Sequence, residues 1–171
     1  NEWTIRAWTL QSADQAPGSA QQIASGGYDA SRWYKATVPG TVLTTLVDRG
    51  VYPSPAHGLD NLAIPESLSR QDWWYRTSFT LPRGHRPGRH LFVTFKGINY
   101  ASEIWVNGRR AGTTRGAFVR GSVDLGPYLN PTGENVIAVK VSPPPHPGIA
   151  HEESVAAGVG ENGGVQAQDG P

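Results

Sequence analysis

The sequence predicts an all-β fold: two sheets packed face to face as a β-sandwich of jelly-roll type, with one short helix. Three observations predict it. Residues 73–81 alternate apolar and polar side chains at the two-residue period of a half-buried strand. Asn107-Gly108 follows an alternating apolar run, and that dipeptide accepts positive φ at both central positions of a hairpin turn. The remaining patterned segments are short and bounded by turn residues, as in a sandwich, and helical spacing appears at 41–50.

The elements follow in chain order. Trp3, Ile5 and Ala7 alternate with Thr4 and Arg6, which predicts a first strand over 3–7. In 39–50, Val42, Leu43, Leu46 and Val47 fall at helical spacing, Thr41 sits at the N-cap, Arg49 lies in the last turn and Gly50 takes the stop position. A helix of about two turns does not persist alone in water, so this one must pack on the sheets. Residues 52–71 hold Pro53, Pro55 and Pro65 with little periodicity and predict a long surface loop. In 73–81, Trp73, Tyr75, Thr77, Phe79 and Leu81 share the core face, Trp74, Arg76, Ser78 and Thr80 share the other, and Pro82 ends the strand. A further strand over 90–96 turns Leu91, Val93 and Phe95 inward, with Phe92 breaking its pattern. Ile104 and Val106 lead into the hairpin turn, and 136–141 form another strand after the turn at 129–135. These segments give a sandwich over 1–142. Residues 143–171 hold 5 Pro and 6 Gly but no aromatic, and read as an irregular arm that cannot order itself by its own burial.

Composition narrows the function. The 171 residues carry 15 basic and 14 acidic side chains, net +1, whereas phosphate binding needs a clear basic excess; nucleic acid is not the expected partner. No apolar run approaches the roughly 18–20 residues that a membrane helix needs, so no membrane partner is expected. The absence of Cys removes disulfides, thiolate catalysis and cysteine-ligated zinc, without fixing the compartment. A chain opening on Asn1 implies a removed leader, a removed initiator Met or a chosen boundary. The ratio of 12 Arg to 3 Lys favours planar, bidentate contacts at an interface.

Catalytic patterns fail their own requirements. Gly158–Gly163 spells G-x-G-x-x-G, but a Pro-rich stretch precedes it where a strand is needed and a Gly-rich one follows where a helix is needed. His151-Glu152-Glu153 opens like a zinc-protease helix, yet position 155 is Val, and His146 with His151 is too few ligands; neither metal nor cofactor is expected. Glu66, Asp72, Glu103, Asp124, Glu134, Glu152, Glu153, Glu161 and Asp169 are the acids available for glycoside chemistry, and nothing ties two of them to one rigid cleft. A G-x-S-x-G elbow is missing.

The most suggestive cluster is Asp72-Trp73-Trp74-Tyr75-Arg76. Sugar sites combine flat aromatic faces with carboxylate, amide or guanidinium groups for the hydroxyls. Asp72, Trp74 and Arg76, with Asn99 from the segment 97–108, are therefore candidates to face a substrate or an interface. The plainer alternative makes Trp73 and Tyr75 core and packs Trp74 and Arg76 against a loop or a neighbouring domain.

Three stretches, WYKATVPGTVLTTLVDRGVYPSP (33–55), QDWWYRTSFTLP (71–82) and HLFVTFKGINYASEIWVNGRRAGTTRGAF with SVDLGPYLNPTGENVIAVKVS (90–142), run in the order of a known domain. Together they resemble the N-terminal sugar-binding, galactose-binding-like jelly-roll domain of glycoside hydrolase family 2. The VPGTV and QDWWYR spellings are most similar to its β-mannosidase and exo-β-glucosaminidase branch. The resemblance implies a retaining exo-glycosidase acting on carbohydrate, whose nucleophile and acid/base are two Glu in a separate (β/α)8 barrel, with an immunoglobulin-like domain in the same polypeptide. No position of this sequence receives that catalytic pair, so the domain is expected to be catalytically silent alone, to pack on the barrel and to wall one side of the substrate pocket. The family's domain continues past a tail like 161–171 into a closing strand with a D-W motif near the active site. This sequence stops short of that strand, so the expectation is a sandwich edge left unpaired, which is an aggregation liability. A free-standing lectin-like module and a purely structural adhesion domain are the two competing classes.

Overall fold

The computed structural model describes residues 2–85 and 88–145. Among the described residues eight strands form two antiparallel sheets. They are β1 (Thr9–Ser12), β2 (Tyr34–Lys35), β3 (Trp73–Thr80), β4 (Phe92–Phe95), β5 (Ala101–Val106), β6 (Arg109–Arg115), β7 (Gly121–Asp124) and β8 (Glu134–Ser142). The larger sheet has the order β2-β1-β3-β8-β5-β6, and β4 pairs with β7 in the smaller one. The sandwich expected from the sequence is thus present. Among the described residues no helix is long and apolar enough to cross a membrane.

The first strand lies further along than the alternation at 3–7 suggested. Trp8 is buried, its indole N–H donates to the Ile5 carbonyl at 3.0 Å, and its amide turns back to Arg6. The anchoring pair is therefore Trp8 and Leu10, and the chain pairs as a strand only from Thr9, while Trp3 stays largely exposed. Burying one Leu-sized side chain is worth about 1.5–3 kcal/mol, enough to set which of two neighbouring registers wins.

Helix α2 (Val42–Asp48) forms where its spacing placed it. The Thr41 hydroxyl accepts from the Thr44 amide at 3.0 Å, Leu46 enters the core, and Gly50 leaves the helix at φ +71°. One further turn, α1 (Ala20–Ile23), adds to the single helix expected. It is closed at its start by reciprocal bonds between Ser19 and Gln22, a capping box with no apolar period to announce it. In β4, Phe92 does not break the alternation but obeys it from the solvent side, 61% exposed, while Val93 and Phe95 turn inward. The turn at Asn107 and Gly108 has φ +48° and +78°, the positive pair that a tight hairpin needs.

Two cores result. The first lies between the sheets around Leu10, Leu46, Trp73, Ile104, Ile137 and Val139. The second covers the outer face of the larger sheet, where residues 13–33 wrap over Trp74 and Ala138 with Ile23, Ala24 and Trp33.

Candidate functional site

Strand registers sort the loops into two ends. Trp73 pairs with Val141, Ala101 with Ser142 and with Arg115, and Phe95 with Gly121. Asp72, the 96–100 connection, the 116–120 connection and the exit from β8 therefore gather at one end. Thr80, the Asn107 turn and Glu134 lie at the other.

Two of the four sequence candidates are engaged inside the protein. Trp74 is 4% exposed and packs within the second core. Arg76 donates from Nε to the Ile23 carbonyl at 3.0 Å and from Nη2 to the Ser25 carbonyl at 2.8 Å, with its guanidinium 5.9 Å from the Tyr28 ring centre. Burial lowers the Arg76 pKa from its ordinary value, partly opposed by Glu134 and Tyr28. Contrary to the substrate-facing expectation, Trp74 and Arg76 hold residues 13–33 onto the sheet. A planar donor fork satisfies two turn carbonyls that would otherwise be stranded over a buried indole.

Asp72 and Asn99 remain at the shared end. Asp72 receives the Lys140 ammonium at 2.8 Å, and its carbonyl accepts from the Ala13 amide. Partial burial raises its pKa, but hydrogen bonds from Lys140 and Ser142 outweigh that, and the carboxyl lies below its ordinary value. Asn99 is exposed and lines a hollow of about 280 Å³ with Lys96, Gly97, Ile98 and Phe118. Phe118, which is not among the sequence candidates, is 96% exposed at φ +60°. The available signal was an aromatic straight after Gly116-Ala117 between two polar strands, where no core claims it.

The acids singled out in the body are spread out, and three besides Asp72 have partners. Glu66 pairs with Arg70 at 2.9 Å, and Glu103 faces Arg110 at 3.8 Å while accepting from the Trp105 indole at 3.3 Å. Asp124 pairs with His90 at 2.5 Å and accepts from the Gly126 amide at 2.9 Å. Hydrogen bonds, from His90 first, hold its carboxyl low. Glu134 is exposed at the far end. Among the described residues no group of three metal-ligating side chains occurs. His146, His151, Glu152, Glu153, Gly158–Gly163 and Asp169 lie outside the described residues.

A family model described as glycosyl hydrolase 2 galactose-binding domain-like matches residues 8–168. The chain is 36% identical over 135 residues to a mannosylglycoprotein endo-beta-mannosidase of Lilium longiflorum, covering 77% of this chain and 14% of that protein. It is 30% identical over 142 residues to an exo-beta-D-glucosaminidase of Streptomyces avermitilis, covering 81% and 15%. Among solved structures it is similar to the exo-chitosanase CsxA of Amycolatopsis orientalis, with a TM-score of 0.77 and 26% identity over 86% of this chain and 17% of that one. The chain thus spans about one-seventh of the length of the curated relatives it matches.

Proposed function

We infer the role of this chain from one premise: it belongs to the glycosyl hydrolase 2 galactose-binding domain-like family. The role is that of a non-catalytic domain in a retaining, exo-acting glycoside hydrolase. It packs on a (β/α)8 barrel that carries both catalytic carboxylates, beside an immunoglobulin-like domain, and its Asn99 end walls the sugar pocket. The single observation that carries this reading is the family match over 8–168, joined to relatives whose sequence lies mostly outside the matched region. Residues 143–171 continue the same unit, a view supported by a match that runs 26 positions past Ser142.

Asn99 is the substrate-facing side chain in this reading. An exposed carboxamide offers both a donor and an acceptor to vicinal hydroxyls, and the hollow beside it is open. Asp72, fixed by Lys140, frames that end rather than titrating there.

The test uses the whole polypeptide on aryl β-mannosides and aryl β-glucosaminides. Turnover is expected there and not from residues 1–171 alone. Asn99→Ala in the whole protein is expected to lower kcat/KM about tenfold or more, the cost of one lost hydrogen bond to substrate. Turnover by 1–171 alone, abolished by changing one of its own acids, overturns the reading. Calorimetric titration of 1–171 with mannose, glucosamine and galactose is expected to show nothing tighter than millimolar; tight binding would favour a lectin-like module instead. A second reading, endo action, is favoured by the 36% identity to the Lilium longiflorum enzyme, and internal cleavage of an oligosaccharide distinguishes it.

A further inference from the structure

We propose that Asn107-Gly108 is a latent self-modification site. Folding keeps the Asn107 carboxamide intact, and opening of the turn lets the Gly108 nitrogen convert it, so that an opened chain is covalently marked. The inference does not depend on the hydrolase reading.

An Asn followed by Gly is the sequence most open to intramolecular deamidation, because no side chain on the second residue hinders the approach of its nitrogen. The two residues stand half-buried at the β5–β6 turn, with φ +48° and +78°. The reaction needs two things that the fold withholds. The Gly108 nitrogen must give up its proton, but that N–H donates to the Ala24 carbonyl at 3.0 Å. The Asn107 side chain must swing its Cγ onto that nitrogen, but its carboxamide makes three hydrogen bonds. Two run from Nδ2 to Tyr128 and Asn135, and one reaches Oδ1 from the Val136 amide. The swing breaks all three together.

The lock is held from a distance. Arg76 donates to the carbonyls of Ile23 and Ser25, the two that flank Ala24. A β-carbon on Gly108 would stand 3.3 Å from the Gln21 carbonyl oxygen, so this segment lies directly against the turn. One guanidinium thus fixes the stretch that fixes the Gly108 proton. A short segment clamped on an outer face opens at lower free energy than the central strands beneath it.

Once the turn is open, the Gly108 N–H loses its proton to a solvent base and the nitrogen attacks Cγ. The N–Cγ bond forms, the Cγ–Nδ2 bond breaks, and Nδ2 takes up a proton and leaves as ammonia. Water then adds to one of the two imide carbonyls, giving an aspartate or an isoaspartyl link at position 107, with nothing oxidised or reduced. Neither product resumes the network. Asn135 is fixed as an acceptor at Oδ1, because the Asn130 amide donates to that oxygen while its own Nδ2 donates to the Asn130 carbonyl. A carboxylate at 107 therefore sets acceptor against acceptor. An isoaspartyl link adds a backbone atom to the turn and displaces the Val106–Arg109 pair.

The experiment incubates the whole polypeptide at mildly alkaline pH and reads deamidation by mass after trypsin digestion. Lys96 and Arg109 release residues 97–109 as one peptide, in which Asn99, hindered by the Tyr100 side chain, is the internal reference. Loss at Asn107 is expected to be about a hundredfold slower or more in the native protein than in guanidinium chloride, since only the opened fraction reacts. Equal rates overturn the proposal. Arg76→Gln is expected to raise native loss at Asn107 about tenfold, the effect of removing a charged donor, with Asn99 unchanged. If hydrogen exchange shows that Arg76→Gln opens β8 as well, Arg76→Lys is read instead, with a smaller rise expected. No rise at Asn107 overturns the lock. Asn107→Asp is expected to lower the unfolding midpoint and not to regain it on refolding, and a midpoint equal to the parent's overturns the marking.

Discussion

The side chains of Asn107 and Asn135 meet at 2.8 Å, Nδ2 of the first donating to Oδ1 of the second. Asn107 also donates to the Tyr128 carbonyl at 2.9 Å, and its Oδ1 accepts from the Val136 amide. Asn135 is fully buried, accepts from the Asn130 amide at 2.7 Å and donates to its carbonyl at 3.1 Å. Two carboxamides, one from the β5–β6 turn and one from β8, thus satisfy backbone groups of the β7–β8 connection and of β8 itself. Asn135→Ala strands several of them and is expected to lower the unfolding free energy by about 1–3 kcal/mol in urea titrations. Asn107→Ala costs a similar amount, and the double variant less than the sum, because both act on one network.

Gly121, in β7 of the smaller sheet, lies close against Thr114 in β6 of the larger one. A β-carbon there would lie 2.3 Å from the Thr114 methyl, and Thr114 cannot turn away freely because its hydroxyl bonds that of Ser102 at 2.7 Å. Gly121→Ala is expected to destabilise by about 1–3 kcal/mol, the range for overpacking, with a lower melting temperature as the readout.

Trp74 and Arg76 test whether the second core is structural. Trp74→Ala is expected to cost about 3–5 kcal/mol, as for other large buried aromatics. Arg76→Gln leaves turn carbonyls short of donors and is expected to raise exchange at amides 20–28 first. Unchanged stability in both variants would restore their standing as surface-facing residues.

Asp72 and Tyr75 each give a pH dependence of known sign. The Asp72 carboxyl is depressed in the folded protein, so its stabilisation is present above the unfolded value of about 3.9 and is lost as pH falls through the lower folded value. Asp72→Asn is expected to lower the melting temperature slightly at pH 7 and to converge with the parent in acid. Burial pushes the Tyr75 phenol up to about 12. Its contribution is complete below pH about 10 and is lost as pH rises toward the folded value, so Tyr75→Phe is expected to resist alkaline unfolding better than the parent.

Period-two alternation located β3, the run VIAVKV after a turn located β8, a strand buried on both faces, and the Asn-Gly turn located the β5–β6 hairpin. β6, RRAGTTR, was illegible for a physical reason: it lies at the sheet edge, and pairing rather than burial holds it. β1 was displaced because alternation at 3–7 is indifferent to which apolar pair finds the core. Asn99 and Asp72 could be picked out by residue type and neighbourhood. Phe118 could not, since its meaning lies in exposure and backbone angle. Trp74 was misleading because the outer face of a sheet looks solvent-bound until a distant segment, residues 13–33, is known to cover it.

β8 is the last strand among the described residues and yet stands mid-sheet, between β3 and β5. During synthesis the ribosome releases both neighbours long before the strand that joins them, so each waits with an open ladder of amides and carbonyls. Closure depends on contacts between distant parts of the chain, such as Trp73 with Val141. Such contacts make folding slow and leave the nascent chain dependent on protection until β8 emerges.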